Sequence, residues 1–329
     1  MKNKSKQNTR ILITGANGGM GLETTKILFD KGYGSILMAC RTKEKAQQAK
    51  HKILLNAESN NTADTLETYG GFDMNDPLAI EEAVATLPSQ HKIDVVFLQS
   101  GGVIFGKEFK YINWNGLTIE KTIFQNVIGG YIVLQNLKRR NLLSENYRVI
   151  FAGGEGARGI PGMIDKPTFH SPKVLEDYIK GNLKGQKYHD MNAMGTSKLM
   201  SALLVAKLAK NAEDGQEYIW FTPGLTYGTN GLATKPAFER WFLENIGFTM
   251  MKWVGMAQSP VQAAQKYVSA IEGIRGENGD ILGSPEKKTL GPTVDQKSMN
   301  SAFTDQGLID EFYAIIQEVY PEKEIVQQN

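Results

Sequence analysis

The feature that most constrains this chain is an alternation that starts near its beginning. "RILIT" (10–14) is a short apolar run, "GANGGMG" (15–21) a glycine-rich turn, and "GLETTKILFDKG" (21–32) has helical periodicity and ends at a glycine suited to a C-cap. The rhythm then repeats. "SILMA" and "KEKAQQAKHKILL" read as strand and helix, as do "LETYGGF" and "PLAIEEAVATL", the latter with Pro77 in its first turn. "IDVVFL" precedes a long helix, "TIEKTIFQNVIGGYIVLQNLKRR". "RVIFA", "MGTSKLMSALLVAKLAK" and "EYIWFT" follow, and then "SPVQAAQKYVSAIEG", "GDILG" and "DQGLIDEFYAIIQEVY". Strands alternating with helices predict an α/β fold with a doubly wound parallel sheet, a three-layer α/β/α Rossmann fold. Ligands of such a sheet bind at the carboxyl ends of its strands.

Two stretches break the rhythm. Residues 155–191 form a long connection rich in Gly and Lys, and residues 231–257 are rich in aromatics and methionines. Both are expected over the ligand edge, with core packing as the competing reading. The organisation expected is a disordered arm at 1–9 and one domain over 10–329. That domain carries an inserted loop at 155–191 and a substrate lid at 231–257, in which Trp241, Phe242, Met251 and Trp253 face an apolar ligand.

Composition excludes several functions. Lys+Arg 37 against Asp+Glu 35 gives a net charge of +2, too balanced for a nucleic-acid partner. Cys40 is the lone cysteine, which fits a reducing, cytoplasmic setting. No run reaches the roughly 18 uncharged apolar residues of a membrane span. "MKNKSKQNTR" lacks the apolar stretch of a secretory signal. The four histidines are not clustered with acids at ligand spacing, so no metal site is expected. Assembly into a homo-oligomer is left open.

The glycine turn carries the first functional signal. Gly15, Gly19 and Gly21, with Asn17 and Met20 between them, follow a strand and open a helix. That context lets a pyrophosphate approach main-chain N–H groups at the positive helix end. An NAD site places an acid about 20 residues on, for the ribose 2′-hydroxyl. Here Arg41 stands at the end of "SILMACR", with Lys43 beyond it. A guanidinium suits a 2′-phosphate, so the cofactor expected is NADP. Asp73 and Met74, after the third strand, are candidates for the adenine.

At this point the residues resemble the short-chain dehydrogenases/reductases over about residues 10–320. "TGANGGMG" is similar to that family's TGxxxGxG motif, and "IDVVFLQSGG" to its DVLxxNAG segment, with Ser100 and Gly101 in the last two positions. Asn126 matches its helix asparagine. "TPGLTYGT" is similar to its PGxxxT loop, giving Pro223, Gly224 and, one place late, Thr229. "MACRTKEKA" and "GQKYHDMNAMGTSKL" bring it nearest to the retinol dehydrogenases and protochlorophyllide oxidoreductases. The resemblance implies that Lys198 holds the nicotinamide-ribose hydroxyls and that Asn126 and Lys198 are the surviving half of a catalytic tetrad.

The other half is replaced. Gly154 stands where the family has serine, and Met194 where it has the proton-donating tyrosine. No tyrosine in the chain has a lysine four residues on. A moved acid would come from Glu155 or Tyr188, with His189 and Asp190 beside the latter. Three functions stay open. One is an NADP-dependent oxidoreductase with an atypical site, acting on a bulky apolar carbonyl or activated alkene. The second is a catalytically silent cofactor-binding scaffold, sensor or assembly factor. The third follows from "NAMGTSK", which is similar to sugar-nucleotide dehydratases that carry methionine at this position.

Overall fold

The computed structural model describes residues 4–58, 61–183, 185–227 and 256–322. Thr229, Trp241, Phe242, Met251 and Trp253, with residues 231–255 of the expected lid, lie outside the described residues.

The strands are β1 (Arg10–Thr14), β2 (Ser35–Ala39), β3 (Leu66–Tyr69), β4 (Ile93–Leu98), β5 (Tyr111–Trp114), β6 (Leu117–Glu120), β7 (Leu143–Ala152), β8 (Glu217–Phe221), β9 (Ile281–Gly283) and β10 (Val294–Asp295). Eight form one sheet in the order β3-β2-β1-β4-β7-β8-β9-β10, parallel except for β10. All five residues of β1 and all six of β4 are buried, as expected of strands covered on both faces.

One layer holds α1 (Gly19–Asp30), α2 (Lys43–Leu55) and α7 (Pro260–Ile271). The other holds α3 (Pro77–Ala85), α4, α6 (Asp190–Lys210) and α8 (Gln306–Val319), joined by the short α5 (Pro172–Ile179). Helix α4 begins as Lys121–Ile123, passes through a π-helical stretch, Phe124–Ile128, and continues as Gly129–Arg139. The α/β/α expectation therefore holds. The chain leaves β1 toward β3 and returns on the other side at β4, which opens a crevice at the carboxyl ends of β1 and β4.

Three details differ from the sequence reading. Residues 118–120, expected in the long helix, belong to the β5–β6 hairpin. Its turn is Asn115–Gly116, with φ of 52° and 76°, the conformation an Asn-Gly pair favours. Residues 4–9, expected as a disordered arm, run beneath the sheet: Lys4 pairs with Asp94 at 2.7 Å, and Gly34 donates its N–H to Lys6. Loop 155–191 contains structure of its own, a 3-10 turn at Glu155–Arg158 and helix α5.

Glu155 stands at the start of that loop. Its side chain is 2% exposed. It pairs with Arg158 at 2.9 Å, and it accepts from the Ser284 N–H at 2.9 Å and from Gln296 Nε2 at 2.7 Å. Arg158 in turn donates to the carbonyls of Pro285 and Lys288. The carboxylate thus ties the exit of β7 to the β9–β10 segment. Burial raises its pKa, while Arg158 and the donors oppose that shift. Removing one partner of a buried pair strands the other charge and costs about 3–5 kcal/mol. Glu155→Ala is therefore expected to lower the thermal midpoint sharply, with Glu155→Gln falling between it and wild type. An Ala variant that melts like wild type would show the carboxylate to be dispensable to the fold.

Candidate cofactor and active-site cleft

A cleft of about 920 Å³ opens at the carboxyl edge, running from Arg41 and Lys45 past Gly15 and Gln99 to Met194 and Lys198. Its floor is a place where two backbones meet. Thr14 Oγ1 accepts from the N–H groups of Gln99 (2.9 Å) and Ser100 (3.1 Å), which pins the exit of β4 to the exit of β1. Gly15 has φ +70°, and a Cβ there would sit 2.9 Å from Gln99 Oε1 and 3.0 Å from Ser100 Oγ. A Cβ on Gly21 would lie 2.3 Å from the Gly15 carbonyl oxygen. Gly15, Asn17, Gly19 and Met20 line the cleft, and Gly21 supports them from beneath.

Helix α1 starts here behind Gly18, with no side-chain cap. By contrast, Thr42, Asp76, Ser171, Ser259 and Asp305 cap α2, α3, α5, α7 and α8. The first N–H groups of α1 are thus left for a ligand, at the positive end of the helix. The glycines leave no side chain in the way, so the loop fits a pyrophosphate.

At one end Arg41 meets Asp73, Nε to Oδ2 3.3 Å, with the arginine side chain 58% exposed. So exposed a pair contributes roughly 0–1 kcal/mol and leaves the guanidinium free to turn to a stronger anion. Lys45, in the first turn of α2, shares the cleft; Lys43, expected beside Arg41, does not line it. Asp73 Oδ1 accepts from the N–H and the side-chain amide of Asn75 (3.0 and 3.2 Å), and Asn75 in turn reaches Gln125 on α4 at 3.3 Å. Asn75 and Gln125 line the cleft and were not singled out from the sequence. Met74 lines it too, though it is only 4% exposed.

At the other end α6 is pressed onto the exit of β7. Gly195 and Gly156 are in backbone contact, since a Cβ on Gly195 would be 2.8 Å from the Gly156 oxygen. This brings Lys198 to the strand end, where Nζ donates to the Ala152 carbonyl at 2.6 Å. The stem of Lys198 lies along Gly154, whose added Cβ would be 3.0 Å from Lys198 Cγ. Burial lowers the ammonium pKa to about 8. Met194, one turn before, lines the cleft with its thioether, which has no exchangeable proton.

The remaining expected residues sit around the cleft. Asn126, in the π-helical stretch of α4, donates to the carbonyls of Thr122 (2.9 Å) and Gly102 (3.0 Å) and accepts from the Gly102 N–H (2.8 Å). It holds the loop after β4, and Gly101 lies so close that a Cβ would be 2.3 Å from Asn126 Oδ1. Gly101 and Ser100 line the cleft; Asn126 positions them. The Tyr188 hydroxyl donates to the Ile104 carbonyl, and its ring packs on Phe109 at 5.1 Å. Tyr188 braces that same loop from behind, and neither it nor Glu155 lines the cleft. The Pro223 carbonyl accepts from Gln258 (2.6 Å) and Lys266 (2.8 Å), and Gly224, φ +100°, packs under Thr289. Lys110, Lys121 and Tyr267 also line the cleft.

A second cleft, about 1300 Å³, lies at the opposite edge among Lys4, Arg10, Glu67, His91 and Asp94. Its charges pair with one another, Arg10 with Glu67 at 3.0 Å and Lys4 with Asp94 at 2.7 Å. It is larger but lies at the amino ends of the strands, away from the glycine loop and the start of α1. Among the described residues no group of three His, Cys, Asp or Glu side chains is arranged to hold a metal ion, and no helix is long and apolar enough to cross a membrane.

Comparison with known proteins gives a consistent picture. The model of the KR domain family matches residues 9–107. The chain is 33% identical over 182 residues to the short-chain dehydrogenase/reductase iacJ of Pestalotiopsis fici, covering 51% of this chain and 53% of that one. It is 23% identical over 337 residues to the short-chain dehydrogenase anuD of Penicillium roqueforti, covering 96% and 79%. The chain thus spans about half the length of the first relative and most of the second. A short chain dehydrogenase from Burkholderia cenocepacia, solved in complex with NADP, has a similar fold, with a TM-score of 0.56 at 19% identity over 84% of this chain and 96% of that one.

The buried ammonium makes one prediction independent of any ligand. The Lys198 pKa falls from 10.5 to about 8 on folding. Between those values the folded state binds fewer protons than the unfolded state, so stability rises with pH across this window; below it the penalty is constant. The shift, 10.5 − 8 at about 1.36 kcal/mol per unit, is on the order of 3 kcal/mol. In urea unfolding at pH 7.5 and pH 10, wild type should gain on Lys198→Met by an amount of this order. Parallel pH profiles for the two proteins would show that the ammonium is not desolvated.

Proposed function

We propose that this chain, similar over part or most of its length to proteins of the short-chain dehydrogenase/reductase family, is an NADP(H)-dependent oxidoreductase of that kind with a rebuilt proton-donor site. The observation that carries this reading is the continuous cleft from Arg41 to Lys198 over a glycine floor at the uncapped start of α1. Gly15, Asn17, Gly19 and Met20 would cradle the pyrophosphate. Arg41 and Lys45 would hold the 2′-phosphate, Asp73 and Met74 would flank the adenine, and Ser100 and Gly101 would cover the adjoining ribose. The NADP complex of the Burkholderia structure supports this class of ligand. When bound, the dinucleotide supplies a hydride.

Lys198 would hold the nicotinamide-ribose hydroxyls. Met194 and Gly154 have no exchangeable proton to give, and Lys198, whose stem lies along Gly154, carries one. A pKa of about 8 lets its ammonium give up that proton near neutral pH. We assign it the role of proton donor, reached through the ribose hydroxyls or a water. The substrate would be apolar and bulky: Val103, Ile104 and Phe105 line the cleft, and Trp241, Phe242, Met251 and Trp253 follow in the sequence. An activated alkene or a carbonyl of low proton demand suits such a site best.

A second reading has its own support. General acid–base help is worth about 10²–10⁴-fold and an oxyanion donor about 10²–10³-fold. A Cβ at 154 would lie 3.0 Å from Lys198 Cγ, so a serine there would require the lysine stem to give by a few tenths of an ångström. A protein that binds the dinucleotide and turns over nothing would look the same at these positions.

Two experiments test the proposal. In fluorescence titrations wild type should bind NADPH at least tenfold more tightly than NADH, and Arg41→Ala should lose most of that preference. Equal affinities in wild type would contradict the assignment of NADP. Met194→Tyr restores a phenol one helical turn from Lys198 and should raise NADPH-dependent reduction of simple ketones by about 10²-fold or more. Adding Gly154→Ser crowds Lys198 and should weaken NADPH binding. A folded Met194→Tyr protein that binds NADPH and gains no rate would show that α6 does not present this position to a substrate.

A further inference from the structure

Tyr267 is a buried side chain of α7 that the reading above does not use. It is 0% exposed. Its ring packs against Phe97 at the end of β4 (centroids 4.6 Å) and Phe221 at the end of β8 (5.6 Å). Strand β7 runs between β4 and β8, so the ring lies beneath the carboxyl end of β7. Lys198 meets that same strand end through the Ala152 carbonyl from the α6 side. Tyr267 and Lys198 therefore flank one strand terminus from opposite faces of the sheet, and both line the cleft, together with Ala152 and Gly153.

The Tyr267 hydroxyl has no hydrogen-bond partner. The other deeply buried tyrosines are satisfied: Tyr131 by Gln317, Tyr147 and Tyr218 by each other, and Tyr320 by Asn136 and Glu81. Leaving a buried hydroxyl unpaired is costly, and phenylalanine would pack the same apolar niche without that cost. Burial drives the phenol pKa upward, so the group stays a proton-bearing donor throughout the working pH range. What it lacks is an acceptor; the hydroxyl is closed to solvent in this structure, so an acceptor arriving in the cleft that Tyr267 lines would reach it through a small shift of the neighbouring side chains.

We propose that the Tyr267 hydroxyl donates a hydrogen bond to the nicotinamide half of the bound dinucleotide, from the face of the sheet opposite Lys198. The acceptor is an oxygen of the ribose, the adjoining phosphate or the carboxamide. This rests on the reading of the cleft as a dinucleotide site. It adds a contact that no sequence motif marks, from a helix far along the chain. The role is in binding, so affinity reports it without turnover.

The test compares the full-length wild type with Tyr267→Phe by calorimetry, using NADPH and 2′,5′-ADP, which carries only the adenosine half. Loss of one neutral hydrogen bond should raise the NADPH dissociation constant roughly 3–10-fold. Binding of 2′,5′-ADP should not change, and the ligand-free melting temperature should hold or rise. Three results would overturn the proposal: unchanged NADPH affinity, an equal loss for 2′,5′-ADP, or a ligand-free protein that melts several degrees lower. Failure of the underlying reading looks different, because wild type itself would then bind neither ligand.

Discussion

The carboxyl edge of this protein depends on how closely two strand exits approach each other. Thr14 Oγ1 takes both N–H groups of the turn after β4, which draws Gln99 and Ser100 down onto Gly15. A Cβ at Gly15, at φ +70°, would press on the ends of the Gln99 and Ser100 side chains, and one at Gly21 would strike the Gly15 carbonyl oxygen. The crowding leaves a groove floored by backbone, with the unsatisfied start of α1 at its side. Most of what the cleft can bind follows from that floor. Asn126 fixes the next stretch of the same turn, and Tyr188 supports it from behind. Two residues of catalytic type thus hold a wall in place.

The opposite end of the cleft shows a matched pair of changes. With glycine at 154, the stem of Lys198 lies flat against the backbone and its ammonium settles on the Ala152 carbonyl. With methionine at 194, the same helical face offers bulk in place of a proton. On the proposed reading, the dinucleotide contacts survive while two terms that normally lower the barrier are gone. The chemistry must then need little acid, take its proton through Lys198, or be absent. Charge in the lining favours retention of an anionic ligand: Arg41, Lys45, Lys110, Lys121 and Lys198 face a single carboxylate, Asp73.

The sheet was legible because each of its first strands is a compact apolar run followed by a periodic helix. The glycine loop was legible because its spacing serves a backbone need. Other features depended on distant partners. Glu155 reads as a free acid beside Gly154, yet its partners Ser284 and Gln296 lie more than a hundred positions later. Tyr267 reads as one more apolar position of an amphipathic helix. The β5–β6 hairpin carried its signal openly in Asn115–Gly116, but the apolar periodicity running on into α4 masked it.

The most direct test of the whole account is a crystal structure of the protein grown with NADPH. The account expects the dinucleotide extended along the carboxyl edge, its 2′-phosphate at Arg41 and Lys45, its pyrophosphate over Gly15–Met20, and its nicotinamide ribose at Lys198. Density for it in the larger cleft between Lys4, Arg10 and Asp94, or none at saturating NADPH, would contradict the account.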